Sequence, residues 1–318
     1  MSRSHNKPRL ILTLGDPNGI GPEIILKIFN DKKFVENLDL TVAGSSKILN
    51  EYAEILNLSK ISLEKIIETD VPTKFKLSPG KIDKLAGKIS GDSISAACAL
   101  CMKGKFSGMI TLPISKEALN KGGYDFPGHT EMLTEMTGSK NTAMILYSKK
   151  FSTTPITGHI PLSEVSKSLS KELLFNKIVT VNNSLVKDFK IKNPKIAVLG
   201  LNPHAGDGGL IGQEEKKLIT PLITKMNSMG FNIRGPYPSD GFFASGHYKN
   251  FDITMALYHD QGLIPFKMIS FDEGVNFTAG LKTRRASPDH GTAFDIAGAG
   301  RANPESTMQA ILLLAEMH

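Results

Sequence analysis

The stretch from Gly274 to Ser306, GVNFTAGLKTRRASPDHGTAFDIAGAGRANPES, constrains this chain more than any other. It strings together several glycines, the adjacent arginines Arg284 and Arg285, a Ser-Pro-Asp-His run ending at His290, and a short apolar-periodic piece, Ala293, Phe294, Ile296 and Ala297. Glycine accepts positive φ and carries no Cβ, so a long glycine-rich segment inside a compact domain brings its backbone against a ligand. The alternative is a solvated surface loop. The stretch is expected to be mostly loop, with the rest of the chain built around it.

At 318 residues the chain is long enough for one large or two medium domains. Hydrophobic residues at 40% and charged residues at 22% match globular proteins and argue against disordered or fibrous classes. A formal charge of +7 and a pI of about 9.2 admit nucleic acid, an anionic membrane or a small anionic substrate. The lysines are scattered, with no basic block or aromatic-interleaved stripe, which counts against nucleic acid; a phosphorylated small molecule needs only a few local cations. No apolar run reaches membrane-spanning length, and the basic N-terminus is followed by too few apolar residues for a signal peptide, so a cytoplasmic location is expected. Cys98 and Cys101 form C-x-x-C, but Ile94, Ala97, Cys98, Cys101 and Met102 recur at helical spacing, which predicts core packing over zinc or redox chemistry.

Arg9–Leu14 reads as a buried strand, followed by the glycine loop GDPNGIG and a helix with Pro22 at its first position. The glycines at 15, 19 and 21 do not fit G-x-G-x-x-G, and no G-x-x-x-x-G-K-[ST] loop occurs. Further strands are expected at residues 40–43, 108–112, 142–147, 195–201 and 252–258, and helices at 48–56, 93–102, 171–189, 214–229 and 307–317. This alternation predicts an α/β fold with a largely parallel sheet.

Setting aside His5 and His318, six histidines remain: His129, His159, His204, His247, His259 and His290. His159, His204 and His259, in TGHIPL, LNPHAGDGG and YHDQGL, follow expected strand ends, where open α/β sheets bind their ligands. Three imidazoles would leave positions open on a zinc-like ion, with cobalt, manganese or magnesium as substitutes; ordinary structural histidines are the competing reading. His129 and Thr130 in FPGHTEM open a short helix, either as helix-start chemistry or as ligand contacts. Asp240 in YPSDG and Asp260 in YHDQG are candidate catalytic carboxylates, to relay a proton or orient a metal ligand, and each is equally able to cap a turn.

Seven ordered motifs, GDPNGIGPE, GHTE, LNPHAG, YPSDG, YHDQG, GVNFT and SPDHGTAFDIAG, resemble the 4-hydroxythreonine-4-phosphate dehydrogenase family of pyridoxal phosphate biosynthesis. DHGTAFDIAGAGRANP is also similar, more distantly, to the loop that holds the adenosine end of NAD in isopropylmalate dehydrogenases. The resemblance implies a two-lobed fold of the isocitrate and isopropylmalate dehydrogenase type. One lobe would comprise residues 1–120 with 275–318 and the other residues 121–274. It implies His159, His204 and His259 as metal ligands, two from one subunit and the third from its partner, hence a homodimer. Substrate contacts would be His129, Thr130, Lys267, Asn276 and Arg285; by analogy His290, Asp295 and Asn303 face the cofactor. The implied reaction is a metal-assisted, NAD- or NADP-dependent oxidation of 4-phosphooxy-L-threonine, with loss of carbon dioxide to give 3-amino-2-oxopropyl phosphate. The motifs scarcely separate this from a relative acting on 4-phospho-D-threonate or 4-phospho-D-erythronate, or from a dihydrodiol dehydrogenase. From another class, the same histidines and aspartates would serve a metal-dependent phosphohydrolase. Lys282, before the arginines, and the IPFK sequence around Lys267 depart slightly from the family pattern.

Overall fold

Buried apolar runs form strands and periodic segments form helices, in the alternating order expected of an α/β chain. The structure, a computed structural model, describes residues 7–271 and 273–317; the basic N-terminal residues with His5, and His318, lie outside the described residues. Among the described residues the strands are β1 (Arg9–Thr13), β2 (Asp39–Gly44), β3 (Ile66–Glu68), β4 (Gly108–Ile110), β5 (Ala143–Tyr147), β6 (Ser152–Pro155), β7 (Lys195–Leu199), β8 (Asn232–Tyr237), β9 (Ile253–Ala256), β10 (Val275–Ala279) and β11 (Arg284–Pro288). The chain forms two compact units, one reaching to Ser139 and resuming at Leu281, the other spanning Lys140–Gly280.

The first unit orders its strands β3-β2-β1-β4-β11, every neighbouring pair parallel. Its helix Lys84–Met102 begins nine residues before the expected start, because Asp83 caps it by accepting from Leu85 N and Ala86 N. Gly87 and Gly91 disguise that first half in the sequence. Both are required: a Cβ at Gly87 would run into the Ala118 carbonyl, and one at Gly91 into the Tyr124 ring. Cys98 and Cys101 are buried free thiols packed with Ile94, Ala97 and Met109, whereas Met102, expected on the same face, is 43% exposed. Burial pushes both thiols up, Cys101 to about 12, which leaves them unreactive. The helix His129–Thr137 inserts Met132 and Leu133 into this same cluster, so the residues up to Ser139 belong with the N-terminal strands. The crossings, expected near residues 120 and 275, fall after Ser139 and after Gly280.

The second unit orders its strands β10-β5-β6-β9-β7-β8. The pairs β10/β5 and β5/β6 are antiparallel, while β6/β9, β9/β7 and β7/β8 are parallel. The Gly274–Ser306 stretch is mostly irregular, as expected, but two strands run through it: β10 pairs with β5 from Val275↔Tyr147 to Ala279↔Ala143, β11 pairs with β4, and the residues after Pro288 form a long irregular segment. Pairing partners, not local periodicity, make these strands. The helix expected over 214–229 is a π-turn, Glu215–Ile219, running into an α-helix, Thr220–Ser228.

Candidate active site

In the second unit β6 and β9 lie side by side in parallel, with Pro155 opposite Ala256. Their pairing continues past the strand ends through Ile156 N to Ala256 O and Thr157 N to Leu257 O. Two chains that leave adjacent strands at one level carry the next few residues together, which sets the His159 and His259 rings 5.7 Å apart. His259 opens the helix His259–Ser270, and its Nδ1 lies 2.7 Å from Asp260 Oδ1. With Nδ1–H donated to that carboxylate, the Nε2 lone pair is left for a ligand. Within the chain, and among the described residues, no three His, Cys, Asp or Glu side chains gather closely enough to hold a metal. One chain therefore assembles the pair His159 and His259, not a histidine triad.

His204 follows β7, the neighbour of β9 on its other side, but stands in a different kind of turn. Residues 204–208 all adopt left-handed backbone, with φ of 54°, 50°, 80°, 42° and 65°. Three of them, His204, Ala205 and Asp207, carry a Cβ, and each costs roughly 1–2 kcal/mol in that conformation. Strain of this kind persists only where its surroundings enforce it, and it concentrates at functional sites. Here the enforcing groups are Asn202, Glu214 and Glu215. Asn202 Nδ2 donates to both carboxylates at 2.9 and 3.0 Å, and Glu214 Oε1 accepts from Ser166 Oγ at 2.6 Å. The Ser166 hydroxyl and the Asn202 amide hold the Glu214 carboxyl down to about 2. The remaining expected residues of this unit are Lys267, exposed on the helix His259–Ser270, Asn276 on β10, whose Oδ1 is buried without a hydrogen-bond partner, and Asp240, exposed in the first turn of Ser239–Ala244.

In the first unit Arg285 is the buried arginine of the pair, 3% exposed on β11, while Arg284 is only partly buried. Its Nε donates to Thr111 Oγ1 at 2.8 Å. Burial lowers the guanidinium to about 10, so it stays charged at neutral pH, with Glu131 acting in the opposite direction. His129 stands close enough to feel that charge. Burial first and Arg285 second hold its imidazole well below the ordinary range, so the ring is neutral. It donates to the Leu112 backbone while Nε2 stays buried with no partner, an acceptor facing no donor. Thr130 follows in the same helix, partly buried. A fixed cation beside an unspent imidazole acceptor suits an anionic ligand that also carries a hydrogen-bond donor.

The segment after Pro288 is pinned in the same unit. Glu23, fully buried, accepts from Ala302 N at 2.7 Å and Gly300 N at 3.2 Å, and Lys27 donates to the carbonyls of Ala302 and Gly300. Ile20 N donates to Thr292 O at 3.1 Å. His290 Nε2 is buried without a partner, Asp295 is exposed, and Asn303 Oδ1 is engaged by Glu305 N at the start of the last helix. Residues not singled out in the sequence hold the expected ones in place: Thr111 and Glu23 in the first unit, Asn202 and Glu215 in the second, and Asp16 is a further buried carboxyl of the first. Asp16 is fully buried after β1, with Oδ1 accepting from Asn18 N and Oδ2 unpartnered. Burial raises its carboxyl to about 6 against the pull of the Asn18 and Ser115 backbone. GDPNGIGPE contains both Asp16 and Glu23, and a strand-loop-helix junction that carries two carboxylates is the signal by which sequence alone marks them.

The family described as pyridoxal phosphate biosynthetic protein PdxA matches residues 36–314. The chain belongs to this family. It is 39% identical to a 4-hydroxythreonine-4-phosphate dehydrogenase of Bacteroides thetaiotaomicron, with 98% of this chain and 89% of the relative covered. It is 36% identical to a putative D-threonate 4-phosphate dehydrogenase of Oceanobacillus iheyensis, with 96% of each covered. A crystal structure of 4-hydroxythreonine-4-phosphate dehydrogenase from Klebsiella pneumoniae superposes with a TM-score of 0.89 at 34% identity over 99% of both chains. The chain is a dehydrogenase of the PdxA family, and that membership implies a nicotinamide cofactor. Among the described residues no helix is long and apolar enough to cross a membrane.

Proposed function

We infer that this dehydrogenase oxidises 4-phosphooxy-L-threonine at its C3 hydroxyl with NAD or NADP, with carbon dioxide lost to give 3-amino-2-oxopropyl phosphate. The observation that carries this reading is Arg285, a guanidinium buried to 3% and fixed through Nε to Thr111 beside the unpartnered Nε2 of a neutral His129. A buried guanidinium held in one orientation suits the anionic groups of a doubly charged phosphorylated substrate better than an uncharged ring. Arg285 and Lys267 would hold the anionic groups of the substrate. His129 Nε2 and Asn276 Oδ1, both buried acceptors without a partner, would receive its hydroxyl and ammonium protons, and Thr130 would line the same contact.

The donor set fits a divalent ion. His159 and His259 present two imidazoles from adjacent strand ends, and Asp260 fixes the tautomer of one of them. His204 would complete the set from the partner subunit. Two nitrogens fixed by one chain and a third from another suit zinc, with cobalt or magnesium as alternatives. When bound, such an ion would supply Lewis acidity at the oxygen of the C3 hydroxyl, whose carbon is oxidised. Asp260 would orient His259 through the contact with its Nδ1, and Asp240 would be the second carboxylate, relaying a proton. Exposed apolar side chains support the homodimer: Leu210 is 85% exposed beside the His204 turn, and Ile264, Met268 and Phe271 are 56%, 82% and 74% exposed at i, i+4 and i+7 along and just past the helix His259–Ser270. His290, with its buried and unpartnered Nε2, together with Asp295 and Asn303, would meet the cofactor's adenosine.

A second reading, 4-phospho-D-threonate or 4-phospho-D-erythronate as substrate, is favoured by the Oceanobacillus iheyensis relative. The deciding experiment follows reduced nicotinamide by absorbance with purified protein, NAD or NADP, a divalent metal and each of the three phosphorylated acids. Metal-dependent reduction with the threonine derivative alone supports the first reading, and preference for a sugar acid replaces it with the second. Phosphate release without nicotinamide would sink both and leave a phosphohydrolase.

A further inference from the structure

The turn that presents His204 is held from inside by Glu215, a carboxylate to which neither substrate binding nor catalysis is ascribed above. Glu215 is 4% exposed, and its two oxygens accept from Asn202 N at 2.8 Å and Asn202 Nδ2 at 3.0 Å. Asn202 in turn accepts from Ala205 N at 3.1 Å through its carbonyl, which starts the left-handed run. The carboxylate lies against the turn's own backbone. A Cβ added at Gly206 would sit 2.6 Å from Glu215 Oε2, and one at Gly200 would sit 3.3 Å from Oε1 and 2.9 Å from Ala205 Cα. The absence of a Cβ at these two glycines is what leaves the space that Glu215 fills. Glu215 is also the first residue of the π-turn Glu215–Ile219, and such single turns change which way a helix's first side chains point.

We propose that Glu215 is a positioning residue for His204, clamping Asn202 so that His204, Ala205 and Asp207 stay left-handed and the imidazole is presented in one orientation. The proposal rests on His204 being a metal ligand, the reading given under Proposed function. Its chemistry is specific. Asn202 turns two of its N–H donors on Glu215, one from the backbone and one from the side chain, and a carboxylate has an acceptor for each. An amide in its place has one acceptor and turns its NH2 on a donor, so Glu215→Gln breaks the clamp with no change in volume.

The experiment titrates the full-length protein with Co2+ alone and follows the visible absorption of the bound ion in the parent, His204→Ala, Glu215→Gln and Glu215→Gln/Ala205→Gly proteins. His204→Ala should abolish the signal, and Glu215→Gln should weaken Co2+ affinity about tenfold to hundredfold, the range for outer-shell partners of metal ligands. Adding Ala205→Gly should recover part of that loss, because glycine adopts left-handed backbone without a Cβ penalty. Parent affinity in Glu215→Gln beside lost binding in His204→Ala overturns the role of Glu215 and leaves the metal reading standing. Parent affinity in His204→Ala overturns the metal reading, and the proposal with it. A loss in Glu215→Gln that Ala205→Gly does not relieve also overturns it, since general destabilisation is not repaired at residue 205. Should Glu215→Gln fail to fold, Asn202→Ala removes the Nδ2 donor from the other side: weakened Co2+ binding supports the clamp, and parent affinity refutes it.

Discussion

Asp16→Asn removes a buried carboxyl whose charge the fold opposes, and its consequence is a change in how stability depends on pH. Burial raises the Asp16 carboxyl from its ordinary 3.8 to about 6, with Asp83 adding a smaller push in the same direction. The folded protein thus keeps a proton that the unfolded chain has already lost over the interval between those values. Where the native state binds more protons, stability falls as pH rises. The contribution is fully present below the unfolded value and is lost as pH passes through the folded one. At about 1.4 kcal/mol per pKa unit, a shift of roughly two units amounts to about 3 kcal/mol. Asparagine cannot ionise. Its amide NH2 has no acceptor where Oδ2 has no partner, which adds a cost of about 1–3 kcal/mol that does not vary with pH. The informative quantity is therefore the difference between variant and parent, measured from urea unfolding followed by circular dichroism between about pH 4 and about pH 7.5. The variant should gain on the parent by roughly 2–3 kcal/mol across that range. A flat difference would mean that Asp16 folds with its charge, and would refute the argument.

Three further outcomes follow from the same geometry. Arg285→Lys keeps the charge but loses the Nε–H that Thr111 fixes, so KM for the phosphorylated substrate should rise about tenfold or more while kcat changes less; an unchanged KM would remove Arg285 from the binding site. Glu23→Gln breaks a buried carboxylate's contacts with Lys27, Gly300 and Ala302, and should cost about 3–5 kcal/mol. Amide hydrogen exchange at residues 300 and 302 should accelerate with it, and parental protection there would show that the segment is pinned by other means. Gly87→Val drives a side chain into the Ala118 carbonyl and should destabilise by about 1–3 kcal/mol or more, read as a lowered urea midpoint; parental stability would mean that the two helices part at no cost.

Legibility in the sequence divides along physical lines. β1, β2 and β9 are runs of buried apolar residues with two covered faces, and such runs declare themselves without reference to neighbours. β11 is RRASP, which no local preference makes a strand; it is one because β4 supplies a partner from Gly108 to Ile110. The first half of the helix Lys84–Met102 was hidden for the converse reason, since the glycines that weaken its helical signal are the residues that let Ala118 and Tyr124 approach. The histidines at strand ends are legible because parallel strands deliver their C-terminal residues to one edge, and the pairing of β6 with β9 sets the His159 and His259 rings 5.7 Å apart.

His204 marks where such reasoning stops and why. Its strand also ends at that edge, yet the residues that follow abandon right-handed backbone for five positions, only two of which are glycine. Nothing local in PHAGDG makes histidine or alanine left-handed. The conformation is imposed by Asn202 and by a carboxylate from the next helix, thirteen residues along from Asn202, through contacts that exist only once the chain has folded. A local preference overruled in this way must be sustained by the surrounding structure, and the overruled residue is the histidine that family resemblance assigns to the metal. The turn's strain and its assigned function therefore point to the same atoms: relaxing the backbone at Ala205 and breaking the clamp at Glu215 should act in opposite directions on how His204 is presented.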